Sequence, residues 1–323
     1  MKEKNQGICL LRIILIFGVI LRHFSQIDGI ISYYITFAVP VFMVVSFYFT
    51  GSILLSNDSD KIRKKMIRLF IPYCFWGSIY YLILGVIMRR ATLMDFVWQL
   101  LTGSSNALNP PLWFLADQMA LLLLMYCIYS LNKNVMCGNI CAVILSCVCI
   151  FLQYSGINFQ TFDVLPWEIK WNMGRFFEVV PYAVIGVLLY QITPFLGKLT
   201  SKIKCIVFIV CFLLPIMLYH VYIPQGVGFG FEGVNKILCA SAIFLFFYEL
   251  PICKTAVIEE ISQYTLGIYC IHLLTGKAIT WALSIVHMEI QDYWVCIFIF
   301  VLSLLISKVI TLLPIKNIKK IVC

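Results

Sequence analysis

A cation and a titratable ring share one face of the first apolar segment of this chain. Arg12 and His23 are eleven residues apart in a stretch with few other charges. Eleven helical steps of about 100° bring a side chain back to within about 20° of its starting direction and move it about 16 Å along the axis. A helix here therefore puts Arg12 near one end and His23 near the other, on a single stripe.

Two interpretations of this stripe remain open. In the first, Arg12 holds an anion and His23 acts as a general base, a role that needs a neutral imidazole near neutral pH. In the second, Arg12 reaches out to lipid headgroups and His23 only caps the end of its helix. The spacing alone is compatible with both.

Two carboxylates lie at a similar depth in other apolar segments. Asp117 and Glu178 are each a few residues inside the end of their segment. A carboxylate beside His23 would orient the ring and stabilise its protonated form, so we predict catalytic roles for both. The alternatives are that Glu178 pairs locally with Arg175 and that Asp117 only packs beside Gln118.

The cysteines and glycines point to no metal or nucleotide site. Most of the fourteen cysteines lie within apolar segments, without a Cys-x-x-Cys pair or a nearby histidine. This pattern is typical of small packing residues, and we predict no metal. The glycines at 226, 228 and 230 lack the strand-to-helix context that a phosphate-binding loop requires.

The elements that must position these residues are membrane helices. Of 323 residues, 62% are hydrophobic and 12% are charged, against about 25% charged in soluble domains. Stretches of about 20 apolar residues match the hydrocarbon layer, in which helices are the default spanning form. We predict an all-α, polytopic membrane protein that forms a single membrane-embedded domain over residues 1–323 and needs no nucleic-acid partner. The ten predicted spans are 8–27, 31–55, 69–88, 112–131, 136–154, 175–192, 204–223, 234–250, 261–286 and 291–313.

The basic residues favour one orientation of these spans. Cytoplasmic segments carry an excess of Lys and Arg, and with the N-terminus inside, fifteen of the 24 basic residues face the cytoplasm. We therefore predict that both termini are cytoplasmic. The fifteen are Lys2, Lys4, Lys61, Arg63, Lys64, Lys65, Arg68, Lys133, Lys198, Lys202, Lys204, Lys254, Lys316, Lys319 and Lys320.

Five segments, in order along nearly the whole chain, resemble the membrane acyltransferase-3 family. The first is the Arg-x10-His pattern of Arg12 and His23. The others are the proline and small polar residues of 39–48, the basic segment 65–73 that ends in Arg-x-x-x-Pro-Tyr, the Leu-Trp-Phe-Leu of 112–115, and the Ser-x-x-Thr-Leu-Gly-Ile-Tyr-x-x-His of 262–272. Each is weak alone, and their order makes the set more specific.

The resemblance implies an acyltransferase that works across a membrane. Family members move an acyl group, usually acetyl, from cytoplasmic acyl-CoA to a hydroxyl, often on a carbohydrate beyond the membrane. For this chain it implies acetyl-CoA as the simplest donor and an exopolysaccharide, capsule, O-antigen or lipid-linked sugar as acceptor. It also implies a multi-pass protein of a bacterial plasma membrane, with proteins of envelope polysaccharide synthesis as possible partners. Members with a fused hydrolase-like domain have a long C-terminal extension, so we expect any relay from this chain to use a separate protein.

The same resemblance assigns roles to particular residues. It implies that Lys65, Arg68 and Arg12 hold the phosphates of coenzyme A. It further implies that His23 acts on the acceptor hydroxyl, either as a general base or through an acyl-histidine. Trp113, Tyr269 and His272 are predicted to line the substrate path.

Two departures from the family pattern affect the donor end. Lys65 stands where arginine is common, and it offers a phosphate a charge without a bidentate fork. Thr265 stands where serine is common.

The alternative function is a transporter or flippase, because ten helices with intramembrane charges suit transport of a solute or glycolipid equally well.

Overall fold

The computed structural model describes residues 5–89, 91–103, 112–132, 134–154, 167–222, 230–288, 290–313 and 321. All regular structure in these residues is helical. A π-helical segment, Tyr81–Ile87, continues α4 without a break. The helices are α1 Gln6–Phe24, α2 Gly29–Thr36, α3 Ala38–Leu55, α4 Ser59–Tyr80, α5 Leu93–Thr102, α6 Trp113–Leu131, α7 Val135–Tyr154, α8 Trp167–Leu196, α9 Ser201–Tyr222, α10 Gly230–Glu249, α11 Ala256–Gln263, α12 Thr265–Ile285 and α13 Asp292–Leu312.

Most of these helices are long and apolar enough to cross a membrane. Nine such stretches occur within the described residues. Helices α2 and α3 together form one of them, Gly29–Leu55, and α4 with its π-helical continuation forms another, Ser59–Ile87. The predicted span 234–250, the eighth in chain order, overlaps α10, which is not among these nine stretches. The prediction of an all-α polytopic membrane protein is therefore confirmed.

Part of the topology prediction falls on residues that the structure does not describe. The orientation of the chain stays a prediction for this reason. The basic residues concerned are Lys2, Lys4, Arg90, Lys133, Lys316, Lys319 and Lys320. The glycines at 226 and 228 and the C-terminal Cys323 also lie outside the described residues.

The predicted span 261–286 corresponds to α12, and its first residues belong to a separate short helix, α11. Helix α11 ends at Gln263 and α12 begins at Thr265. The Thr265 hydroxyl donates to the Ser262 carbonyl at 3.0 Å, and the Ser262 hydroxyl donates to the Glu259 carbonyl at 3.0 Å. Hydroxyl bonds to nearby carbonyls compete with the helical ladder, which favours a break here. The break sets Thr265 at the start of α12.

Two segments that the sequence suggested were loops contain helix. Helix α5 lies in the predicted loop 89–111 and begins with a capping box, in which Thr92 and Asp95 each accept a hydrogen bond from the other's backbone N–H. The hydrogen bonds from Thr92 also lower the pKa of the Asp95 carboxyl. Helix α8 begins at Trp167, within the predicted loop 155–174. A ten-residue helix such as α5 is too short to register in a search for membrane-spanning lengths.

The basic segment before the third span is also helical. It forms the first turns of α4, where the Asp58 side chain caps the helix by accepting from the Lys61 N–H at 3.0 Å. The Lys61 ammonium lies 2.7 Å from the same carboxylate, and these bonds lower the pKa of Asp58. Lys65 and Arg68 consequently project from a helix and have defined directions.

The chain divides into two compact units. The first holds α1, α2, the start of α3 up to Phe42, α9, α10 from Leu238, and α11 to α13. The second holds α3 from Met43, α4 to α8, and the start of α10.

The first unit is built around α1, which packs against α11, α12 and α13. At its start, the Asn5 side-chain amide donates to the Tyr248 carbonyl at 2.9 Å. At its end, a Cβ at Gly276 would come within 2.0 Å of the Phe24 ring, so a larger residue there would displace that ring. Hydroxyls of Thr275 and Ser303 lie 2.7 Å apart between α12 and α13. The close approach of Gly276 to Phe24 sets α12 beside the C-terminal end of α1.

The second unit is held by buried and part-buried polar contacts between helices. Asn139 and Gln191 exchange side-chain amide bonds of 2.9 and 3.0 Å between α7 and α8. The Tyr129 hydroxyl donates to Asn139 at 2.8 Å. The Tyr48 and Thr193 hydroxyls lie 3.1 Å apart between α3 and α8. Interhelical hydrogen bonds of this kind stabilise helix association where no water competes.

Candidate active site

The Arg12 end of the α1 stripe contacts the start of α12. A terminal nitrogen of Arg12 donates to the Thr265 hydroxyl at 2.7 Å. Thr265 is buried and Arg12 is half-buried. Two segments of the sequence resemblance, one at each end of the chain, therefore meet at this bond. Threonine keeps the hydroxyl of the serine that is common in the family, so this departure preserves the contact.

At the His23 end of the stripe, a histidine of α12 lies beside His23. His23 of α1 and His272 of α12 have ring centroids 5.4 Å apart, with an angle of 44° between their planes. His23 is exposed, whereas His272 has 0% of its surface exposed. The hydrogen bonds at the end of α1 come from the Ser25 N–H and hydroxyl, which both donate to the Leu21 carbonyl. The cap observed at the C-terminal end of α1 is therefore Ser25, whereas the second interpretation gave this capping role to His23.

A hydrogen bond within α12 determines the tautomer of the buried His272 ring. His272 Nδ1 lies 2.7 Å from the Tyr269 carbonyl oxygen. A carbonyl oxygen only accepts, so Nδ1 carries the proton, and in the neutral ring Nε2 is then an acceptor. Among the residues that the structure describes, this Nε2 has no hydrogen-bond partner. A buried imidazole with an open acceptor thus stands next to an exposed imidazole.

Tyr269 lies beside this pair. Its ring centroid is 5.9 Å from that of His272, and its side chain is 6% exposed. The observed hydrogen bond to His272 comes from its backbone carbonyl. The structure brings Arg12, His23, Tyr269 and His272 together in the first unit, and the substrate path that the sequence assigned to Tyr269 and His272 stays a prediction.

The carboxylate Asp117 has a cation partner in the second unit. Arg175 Nε donates to Asp117 Oδ2 at 3.0 Å, and both side chains are buried. The Arg175 guanidinium also donates to the Gly103 carbonyl at 3.3 Å and lies 4.3 Å from the centre of the Trp113 ring. The sequence singled out Asp117 and Trp113 but did not pair them with Arg175.

Glu178 also faces a cation, which is Lys236 and not the Arg175 of the alternative interpretation. Its Oε1 lies 3.6 Å from the Lys236 ammonium of α10. The alternative that Glu178 pairs with Arg175 is thus replaced by a pairing between helices. An orienting role toward His23 stays a prediction for both carboxylates, and the ring observed beside His23 is that of His272.

The two basic residues of α4 differ in their surroundings. The Lys65 ammonium donates to the Thr50 hydroxyl and, at 3.3 Å, to the Ser46 carbonyl of α3. Lys65 therefore joins α4 to α3 and is half-buried, whereas Arg68 is exposed. Of the pair, Arg68 is the more accessible to a phosphate.

No metal-binding group of three or more His, Cys, Asp or Glu residues occurs in the described residues. The thirteen cysteines among them are free thiols.

The sequence of the chain matches the model of a known protein family. The sequence model of the acyltransferase-3 family, described as an acyltransferase domain, matches residues 5–312, nearly the whole chain. No curated protein and no solved structure matches the chain significantly. From this match and its spanning helices, the chain belongs to the acyltransferase-3 family and is a multi-pass membrane acyltransferase.

Proposed function

We propose that this acyltransferase moves an acyl group, acetyl in the simplest case, from cytoplasmic acyl-CoA to a hydroxyl of a cell-envelope carbohydrate. The observation that carries the proposal is the His23–His272 pair, in which His23 lies on the same stripe of α1 as Arg12 and His272 belongs to α12. An exposed imidazole with a buried neighbour is suited to proton transfer. A cation about 16 Å away along the same helix is suited to a phosphate group.

The donor would bind with its phosphates at the inner end of α1. Arg12 is held by Thr265, so its guanidinium is directed before the donor arrives. Charge-assisted bonds between arginine and phosphate are among the stronger hydrogen bonds in proteins. Arg68 and Lys65 are proposed as further phosphate ligands on the strength of the sequence resemblance. The long arm of coenzyme A would then carry the thioester outward toward His23.

The reaction needs one proton acceptor. The acceptor hydroxyl attacks the thioester carbonyl, its proton passes to a ring nitrogen of His23, a C–O bond forms and the C–S bond breaks. The proton then passes from His23 to the leaving thiolate, which gives an ester, free coenzyme A and a neutral ring. A positioned general base contributes about 10²- to 10⁴-fold to such a step.

A covalent route uses the same ring. His23 attacks the thioester carbonyl, a C–N bond forms and the C–S bond breaks. The thiolate takes the proton of the other ring nitrogen and leaves as free coenzyme A. The acceptor hydroxyl then attacks the acyl-histidine, a C–O bond forms, the C–N bond breaks, and the proton of the hydroxyl restores the neutral ring. Ping-pong kinetics would identify this route, since the first product leaves before the acceptor reacts.

The family resemblance and the exposure of His23 support a carbohydrate as the proposed acceptor. We expect an exopolysaccharide, capsule, O-antigen or lipid-linked sugar, and a bacterial plasma membrane as the location. Proteins that synthesise such polymers are the expected partners.

The test is acyl transfer by the purified protein in lipid vesicles, with radiolabelled acetyl-CoA and extracted envelope glycan. We expect label in the glycan with the wild-type protein and its loss with His23→Ala. Mass spectrometry of glycans from cells with and without the gene should show a matching loss of acetyl groups. Movement of a solute or glycolipid across the vesicle without labelling would instead favour a transporter.

A further inference from the structure

His272 has features that packing alone does not require. It is fully buried in α12, yet it is an ionisable residue inside a membrane-spanning helix, where such residues are costly and usually functional. Its Nδ1 donates to the Tyr269 carbonyl, which holds the ring in one orientation and one tautomer. Its Nε2 is an acceptor with no partner among the described residues. A buried acceptor without a donor is destabilising, and so calls for an explanation.

Two titratable rings are observed beside it: the His23 imidazole, at 5.4 Å between centroids, and the Tyr269 phenol of its own helix, at 5.9 Å. Of the two, only His23 is an imidazole. Two imidazoles that share an N–H···N hydrogen bond of about 2.9 Å have centroids about 5 Å apart. The observed separation is therefore close to that of a hydrogen-bonded pair. A small rotation of the exposed His23 ring would bring one of its nitrogens to His272 Nε2.

We propose that His272 is a positioning residue for His23, an inference that rests on the proposed function. Its Nε2 accepts a hydrogen from one nitrogen of His23 and leaves the other nitrogen as the base that faces the acceptor hydroxyl. When His23 takes up the proton, the bond to His272 becomes charge-assisted and strengthens. His272 thus does for His23 what a carboxylate does in many general-base pairs.

A neutral partner suits this place better than a carboxylate. Both rings belong to membrane-spanning helices, where an unpaired buried charge is expensive. An imidazole that is locked by its own backbone supplies the acceptor without adding a charge. The sequence assigned this task to Asp117 or Glu178, and in the structure those two carboxylates face Arg175 and Lys236.

The test compares three substitutions of the buried ring by their kinetics in the vesicle assay. His272→Gln places an amide oxygen near the position of Nε2, while His272→Met has the same length and no such acceptor. His272→Asn keeps a donor near Nδ1 for the Tyr269 carbonyl and has no atom in the place of Nε2. We expect kcat to fall about 10- to 100-fold in the Met and Asn proteins, with KM for acetyl-CoA within about twofold of wild type, and the Gln protein to recover most of the loss.

A matched control is His287→Asn, since His287 is exposed just beyond α12 and has a positive φ of 50°, a conformation that asparagine tolerates. We expect wild-type kinetics from it. A Met protein as active as the Gln protein would overturn the proposal, and so would a loss confined to KM. The Met side chain fits an apolar surrounding, so a folded protein is available even if the Asn variant does not fold.

The experiment separates this inference from the function on which it rests. If the wild-type protein transfers acetyl groups, His23→Ala does not, and His272→Met does, then only the positioning role fails. If the wild-type protein labels no glycan, the proposed function fails and the role of His272 in it fails as well.

Discussion

The buried ion pair of the second unit allows a quantitative prediction. Arg175 and Asp117 are 8% and 6% exposed, with 3.0 Å between Arg175 Nε and Asp117 Oδ2. Arg175→Met keeps the length of the side chain but leaves the carboxylate buried without its cation. Breaking one partner of a buried pair costs about 3–5 kcal/mol, and the lost contact with the Trp113 ring adds about 0.5–2 kcal/mol. We expect the free energy of unfolding to fall by about 4 kcal/mol or more.

The double variant Asp117→Leu with Arg175→Met should be more stable than Arg175→Met alone. Replacing both members of a buried pair by apolar side chains is often neutral, because no unpaired charge remains. The measurement is unfolding by a denaturing detergent in mixed micelles, followed by far-UV circular dichroism. Lys308→Met is the matched control: its pair with Glu260 is shorter, at 2.7 Å, but both side chains are about half exposed. We expect no resolvable change from it.

Two outcomes would refute this reasoning. One is an Arg175→Met protein no less stable than the Lys308→Met control. The other is a double variant whose loss of unfolding free energy equals the sum of the losses measured for Asp117→Leu alone and for Arg175→Met alone. Such additivity would show that the two charges are not coupled. The double variant also bears on catalysis: if it is folded and transfers acyl groups at a normal rate, Asp117 does not orient the catalytic base.

Four further predictions follow from the first unit and from α4. His23→Ala should insert and fold normally while acyl transfer falls about 100-fold or more, and near-normal labelling by that protein would remove the catalytic role. Arg12→Ala should raise KM for acyl-CoA about tenfold; Thr265→Val should weaken donor binding in the same direction, whereas Thr265→Ser, which keeps the hydroxyl, should not. Lys65→Ala with Arg68→Ala should raise the apparent KM for acyl-CoA, and an unchanged dependence on its concentration would leave these two residues as topology determinants. Reporters fused to either end of the chain should be active only in the cytoplasm, and an external reporter at the C-terminus would contradict the predicted orientation.

The structure also changes the meaning of a local pattern. Arg175 and Glu178 are three residues apart on one helix, so their pairing was a reasonable local expectation. In the folded chain Arg175 faces Asp117 of α6 and Glu178 faces Lys236 of α10. Burial explains the pairing of Arg175 with Asp117, because a charge inside the helix bundle must be neutralised by whichever opposite charge the packing brings to it. Glu178 and Lys236 are partly exposed, so burial does not account for their pairing.

Composition and helical periodicity determined much about this protein before any fold was known. The apolar stretches required membrane helices, and the shared face of Arg12 and His23 follows from the rise and turn of a single helix. These properties are local, since each depends on residues close together in the sequence. The contacts of Arg12 with Thr265 and of His23 with His272 join opposite ends of the chain. Only the packing of α12 against α1 decides them, at glycine and hydroxyl positions where helices can approach closely, and no periodicity within one helix specifies which helix will be its neighbour.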